Sequence, residues 1–201
     1  MAVSKESLHY ITKEGRAIAE LFDPLAELRI AVFRDFPYLY EGSAEYEKTY
    51  LQTYVKSEQS MLFGVYDGAK MVGATTCLPL RDEMPELQAP FIESGYDLDR
   101  IIYFGESLLL PEYRGLGLGH RFFDEREAHA QRLALYRTTC FCAVERDEHH
   151  PDRPVSYRSN DSFWQKRGYR KVPSLQATLD WPDIGKSEST PKTMTFWLRD
   201  L

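Results

Sequence analysis

The stretch Gly105-Glu106-Ser107-Leu108-Leu109-Leu110-Pro111-Glu112-Tyr113-Arg114-Gly115-Leu116-Gly117-Leu118-Gly119-His120-Arg121-Phe122-Phe123 governs the reading of the whole chain. A hydrophobic strand over 100–110 stops at Pro111, and a glycine-rich turn opens directly into a helix over about 116–133. Gly115, Gly117 and Gly119 let successive backbone N–H groups converge with no Cβ in the way. The first amides of a helix lack intrahelical partners and sit at the positive end of its dipole, so such a turn is a ready anion site. Arg114, His120 and Arg121 crowd the same turn. The dipole disfavours cations there unless a polyanion occupies the turn. The bland alternative is a tight turn whose basic side chains point into water.

Two common nucleotide cradles fit poorly. A dinucleotide fingerprint needs G-x-G-x-x-G, and here the third glycine comes one position early. A P-loop needs G-K-[ST], and Gly119 is followed by His120 and Arg121.

On the N-terminal side, residues 8–12 read as a short strand. Ile18, Leu21, Phe22, Leu25, Leu28 and Val32 recur at helical spacing across 15–33, with Pro24 placed to begin, break or kink that helix. Residues 45–56 read as a second helix with Tyr46, Thr49, Tyr50 and Thr53 on one side, after an aromatic loop over 36–40. β-Rich runs at 61–66 and 70–80 meet at Asp67-Gly68, a two-residue hairpin signal. Residues 81–99 are polar and proline-bearing, a long connection of the functional or mobile kind. Beyond the glycine turn come a strand over 138–144, a charged loop over 145–154, a helix over 156–166 ending at Gly168, and strands over 174–181 and 193–198. Interleaved strands and helices with one hairpin predict a single α/β (α+β) domain over 1–201. Its mixed central sheet should have about six or seven strands, with helices on both faces.

Composition narrows the classes. The 201 residues are 43% apolar and 13% aromatic, enough for a sizeable core, and no apolar run approaches the roughly 20 residues of a membrane helix. With no secretory leader at the N-terminus, a cytoplasmic protein with no membrane partner is expected. A net charge of −6 and the lack of a basic stripe argue against a nucleic-acid partner, and weakly favour cationic substrates. Three cysteines, Cys77, Cys140 and Cys142, lie in strand-like runs and suit a reducing compartment.

Arg114-Gly115-Leu116-Gly117-Leu118-Gly119 resembles the Q/R-x-x-G-x-G/A acyl-CoA motif of the GNAT (GCN5-related N-acetyltransferase) superfamily, and Leu109 to Tyr113 resembles its V-x-P-x-Y lead-in. Phe163-Trp164-Gln165-Lys166-Arg167-Gly168-Tyr169 is similar to the F-Y-E-K-x-G-F ending of that superfamily's motif B helix. The order of elements over roughly 7–181 agrees. The resemblance implies that amides from Leu116 to His120 hold the pyrophosphate of acetyl-CoA, with Arg114 shaping the loop. It implies also that Leu108, Leu109 and Leu110 pair with the pantetheine, and that the strand over 138–144 splays away to admit the thioester. The acceptor, a small-molecule amine or a peptide, would enter from the opposite side, past loop 36–40 and connection 81–99.

Acyl transfer needs a neutral amine, and for a lysine-like pKa near 10.4 that costs about 4–5 kcal/mol at pH 7. A general base helps. Glu106, in a mostly apolar strand where family members often carry an acid, is the candidate, against the reading that it faces solvent or pairs with an arginine. The superfamily's usual acid is a tyrosine in the motif B helix, and Trp164 stands there instead. Tyr157, seven residues earlier on about the same helical face, is the substitute candidate. A thiol of pKa near 8.5 also leaves without an acid. Asp147-Glu148-His149-His150-Pro151-Asp152 reads as a solvated loop, and no metal site is expected. His129, among Glu125, Glu127 and Gln131, reads as an outer-face residue with no role. Tyr38, Tyr40, Tyr46 and Tyr50 either line an acceptor pocket or pack. The expected function is acetyl transfer from acetyl-CoA to an amine within a ternary complex. The alternatives are a non-catalytic acyl-CoA-binding regulatory module and a nucleotide-binding enzyme of another class. The late strands offer a surface for a homodimer.

Overall fold

Strands and helices follow one another singly or in pairs along the chain, and two long strands at its end finish the sheet. The computed structural model describes residues 5–201. In order, β1 (Leu8–Glu14) leads to α1 (Phe22–Phe33) and α2 (Ala44–Lys56), and β2 (Met61–Asp67) and β3 (Lys70–Pro79) form a hairpin. Then come α3 (Pro85–Glu93), β4 (Ile101–Tyr103), β5 (Ser107–Leu109) and α4 (Leu118–Leu133). Last are β6 (Thr138–Val144), α5 (Asp161–Lys166), β7 (Arg170–Pro182) and β8 (Ser189–Asp200). The sheet has eight strands in the order β1-β2-β3-β4-β6-β8-β7, with β5 continuing beside β3. Every pairing is antiparallel except β4 with β6, whose connection contains α4.

Eight strands stand where six or seven were expected because the run over 100–110 is broken at Phe104-Gly105-Glu106. β3 holds the break in place. Gly105 N–H donates to Thr76 O at 3.2 Å, and Glu106 N–H donates to Thr76 Oγ1 at 2.9 Å. The Glu106 carbonyl accepts from Thr75 Oγ1 at 2.7 Å, and Arg126 of α4 reaches it at 3.2 Å. Arg126 is fully buried with its guanidinium over Phe104 and Phe123, and burial lowers its pKa to about 10. Gly105 is obligatory here for a local reason: a Cβ would fall into the Tyr54 hydroxyl and lie 3.0 Å from Tyr54 Cζ.

Other expectations shift by a few residues, each with a cause. The hairpin turn is Gly68 and Ala69, since Asp67 already pairs with Lys70, and Gly68 supplies the positive φ of +58°. Pro24 sits in the first turn of α1, where its missing N–H costs nothing. The polar connection 81–99 is not structureless: Pro85 starts α3 at its first position, and Leu87 and Phe91 bury its inner side. On α2 the buried positions are Glu47, Leu51 and Tyr54, one step round from the expected side. The helix expected over 156–166 begins only at Asp161, whose N–H is taken by Ser159 Oγ at 3.0 Å. His129 is buried rather than on an outer face, with Nε2 2.8 Å from Gln59 O.

The core under α4 is aromatic. Phe123 packs within 5.1–6.2 Å of Phe104, Phe141, Phe163 and Tyr169. Trp164 lies against Phe141 and Trp197, so the residue in the motif B tyrosine position is a packing group.

Candidate active site

The glycine turn has the form an anion cradle needs. Gly115 and Gly117 take φ of +82° and +79°, a left-handed conformation that side chains with a Cβ rarely adopt. Gly117 is the N-cap of α4 and contributes no side-chain hydrogen bond, so the first amides of the helix are left for another acceptor. Gly119 differs: its φ is ordinary, and a Cβ would meet only Phe163, at 3.5 Å. Arg114 folds back to donate from Nε to Leu109 O at 3.3 Å, which ties the loop to β5. Arg121 lies over the Tyr10 ring at 3.8 Å and donates to Glu125, so it packs on β1 rather than standing free at the turn. His120 is exposed, edge-on to Phe163. Leu116 and Leu118 anchor the turn from within, Leu118 being buried.

Between cradle and cleft the sheet opens. β4 pairs with β6 over Ile101–Tyr103, and Phe104 N–H makes the last bond, 2.8 Å to Cys140 O. From Ser107 to Leu109 the chain pairs with β3, and no strand among the described residues takes the other edge of β5. Leu110 N–H returns to Val72 O at 3.0 Å. β5 and β6 therefore part at Glu106, leaving the outward-facing backbone groups of Ser107 and Leu109 on an edge that no described strand covers. An acyl-CoA fits these residues: an uncapped helix N-terminus for its phosphates and a free strand edge for its amide-bearing arm.

Glu106 stands where the strands part. It is buried, and its carboxylate pairs with Arg29 of α1, which also pairs with Glu47 of α2. Tyr50 lies over the guanidinium at 4.3 Å and Phe33 at 5.0 Å. Glu106 Oε2 and Glu47 Oε1 have no hydrogen-bond partner among the described residues. The nearby Tyr50 hydroxyl favours the charged form of Glu106 without closing a hydrogen bond to Oε2. Burial pushes the Glu106 carboxyl above its ordinary value; Arg29 opposes that and Glu47 adds to it. Two carboxylates share one guanidinium, so the group carries an excess negative charge. Burial, with the Glu47 charge adding to it, makes Glu106 more basic than a surface carboxylate, while Arg29 keeps it a counter-ion.

Glu106 forms part of the wall of a cleft of about 290 Å³ between α1, α2, α3 and β7. Tyr38, Tyr40, Tyr46, Tyr50 and Trp181 make its aromatic side, and Met84 and Leu87 close it from α3. Tyr103 and Cys142 face it where the sheet parts, the hydroxyl 3.1 Å from the thiol, whose pKa burial pushes up to about 12. Arg146 holds the aromatic loop, donating to Pro37 O at 2.7 Å, Tyr38 O at 2.8 Å and Asp183 Oδ1 at 2.7 Å. Trp181 Nε1 adds a bond of 3.0 Å to Tyr38 O.

The sequence-level site residues thus fall into two groups. Leu108, Leu109, Leu110, Arg114 and the segment from Gly115 to His120 follow one another along the chain from β5 into the first turn of α4, with Leu108, Leu110 and Leu118 buried and Glu106 just before them. Tyr157 is elsewhere: it lies outside any helix, its ring is edge-on to Phe36 at 4.7 Å, and it is not part of the cleft wall. Arg29 and Glu47 were missed. Their signal was present, since each is a charge at a helical spacing of buried apolar residues, Leu25 and Ala26 for Arg29, Leu51 and Tyr54 for Glu47. Among the described residues no group of three or more His, Cys, Asp or Glu is placed to hold a metal ion. None of their helices is long and apolar enough to cross a membrane.

No protein-family model and no curated protein sequence matches this chain. Solved structures do. An acetyltransferase from Thermus thermophilus is 19% identical, with 97% of each chain covered and a TM-score of 0.53. An acetyltransferase of the GNAT family from Staphylococcus aureus Mu50 is 12% identical over 96% of this chain and 99% of its own, at a TM-score of 0.59. The PaiA N-acetyltransferase from Thermoplasma acidophilum, solved in complex with coenzyme A, is 12% identical over 97% and 99%, at 0.54. The fold of this chain is the GNAT fold.

Proposed function

We propose that this chain is an acyltransferase that moves an acyl group, acetyl foremost, from acetyl-CoA to an amine by direct attack. The observation that carries the reading is the parting of β5 from β6 at Glu106. It places a free strand edge and an uncapped glycine turn on one side of a buried carboxylate and an aromatic cleft on the other. The thioester supplies the acyl group. The chain's own residues bind and orient: amides from Leu116 to His120 hold phosphate, and Arg114 keeps the loop folded onto β5.

Glu106 takes a proton from the bound ammonium, in line with its raised basicity. The free amine then forms the N–C bond while the C–S bond breaks, and the electron pair leaves on sulfur, which takes its proton from solvent. The second proton lost by nitrogen passes to water as the amide forms, and Glu106 returns its own proton to solvent before the next turnover. No acid is required, because a thiol is already a fair leaving group. Tyr157 is not among the residues lining the cleft, so it is not assigned a step.

The test is calorimetry of acetyl-CoA with NAD and ATP as controls, followed by thiol release across a panel of amines. Micromolar binding of acetyl-CoA alone, with turnover of at least one amine, is the expected result. Binding without turnover on any amine would instead favour the acyl-CoA-binding regulatory module. Failure to bind any CoA species would leave only the fold.

A further inference from the structure

The charge balance of the cleft says which amines it accepts, an inference that rests on the acyltransfer reading. Its floor carries the Glu106 carboxylate beside Arg29, whose guanidinium is shared with Glu47, a fully buried residue outside the cleft wall. That cation is already engaged. Both carboxylates pair with it, and the rings of Tyr50 and Phe33 lie over it. Glu106 Oε2 is buried and unpartnered, and the carboxylate lines the cleft. At the mouth, Glu86 and Asp180 add two exposed carboxylates, and Arg29 is the one basic residue among those lining the cleft. Between floor and mouth the walls are the faces and edges of Tyr38, Tyr40, Tyr46 and Trp181.

We propose that the cleft is selective for small arylalkylamines lacking a carboxylate, and that it rejects amino acids and acidic acceptors. An ammonium meets Glu106 Oε2 at the floor and electron-rich ring faces on the way in. A flat apolar body then covers the aromatic walls, where offset or edge-on ring contacts add to area burial. A carboxylate carried on the carbon next to the amine finds no free cation, and meets like charge at the floor and at the mouth. The volume, about 290 Å³, lies at the small end of ligand sites and suits one ring system with a short arm. An aliphatic diamine satisfies the charge but leaves the aromatic walls without a partner.

Matched pairs test this on the full chain: 2-phenylethylamine against phenylalanine, and tryptamine against tryptophan, with 1,4-diaminobutane as a third arm. Thiol release with acetyl-CoA gives kcat/KM, and calorimetry without acyl donor gives affinity for each amine. Each arylalkylamine should exceed its amino acid at least tenfold in both readouts, and should exceed the diamine. Equal or better use of the amino acids overturns the inference while leaving acyl transfer standing. A diamine ahead of both aryl amines overturns it as well. Should acetyl-CoA fail to bind, the proposed reaction falls, but the affinity ratios still decide which amines the cleft holds. Absence of any arylalkylamine binding overturns the inference whatever the donor does.

Discussion

Glu106 is defined by its two neighbours, and each can be altered separately. Glu47→Gln removes one of the charges that raise the Glu106 carboxyl and leaves Arg29 to it alone. The remaining pair is neutral, so the fold should survive. The acidic limb of the pH–rate profile should then move to lower pH, whereas Glu106→Gln should abolish that limb and reduce kcat/KM by about 10²-fold or more. An acidic limb that stays put in Glu47→Gln would remove the shared-arginine account. Gly105 makes the second residue-scale prediction. Gly105→Ala drives a methyl into the Tyr54 hydroxyl, and overpacking of this kind costs about 1–3 kcal/mol or more. Adding Tyr54→Phe removes the worst contact, so urea unfolding should find the double variant more stable than Gly105→Ala alone.

The first turn of α4 and the free edge of β5 work as one device, built where a strand leaves the sheet's pairing just before a helix begins. The two glycines in that turn are not equivalent. Gly117→Ala puts a Cβ on a left-handed N-cap, and should weaken acetyl-CoA binding at least tenfold by calorimetry. Gly119→Ala meets ordinary van der Waals space and should leave the unfolding midpoint of the free protein near that of the parent. A Gly119→Ala protein as destabilised as Gly117→Ala would mean that the turn is held by something other than backbone conformation. α3 belongs to the same scale. Its sequence resembles an open connection because Pro85 and Pro90 punctuate it, and a nine-residue helix with a proline inside lacks a clear period. It closes the cleft with Met84 and Leu87.

Across the molecule, pH bears on stability through buried acids. Glu83 is 4% exposed, and burial raises its carboxyl to about 7 despite a hydrogen bond from Met84 N–H. An acid whose pKa is raised on folding stabilises the native state below its unfolded value, near 4.5, and loses that contribution as pH climbs through 7. Ionising it in place costs on the order of 3 kcal/mol. Glu83→Gln should therefore flatten the decline in stability between pH 5 and pH 8, and be the more stable protein at pH 8. Parallel pH curves for the two in thermal unfolding would show that Glu83 is hydrated in the native state. The net charge of −6 needs no such role; it is spread over a surface where pairs such as Arg34–Glu41 are exposed and worth little.

Features that depend on neighbours along the chain could be read from the amino acids alone. Gly115, Gly117, Pro111 and the apolar run before them are enough for strand, turn and helix, because glycine conformation and helix capping are local. The hairpin, the first turn around Pro24 and the strand over 138–144 were legible for the same reason, to within a residue or two. Packing settled whatever depends on groups distant in sequence. Glu47 and Glu106 lie 18 and 77 positions from Arg29, and they meet it only when α1, α2 and the broken strand come together. The break itself arises from Thr75 and Thr76 on the neighbouring strand, which no periodicity over 100–110 reveals. Tyr157 marks the limit in the other direction: a seven-residue spacing predicts a shared helical face only if the helix extends that far. Here it starts at Asp161, where a side-chain oxygen takes the first amide. A buried charge costs too much to stand alone, so the fold collected one arginine and two carboxylates at the point where its sheet opens.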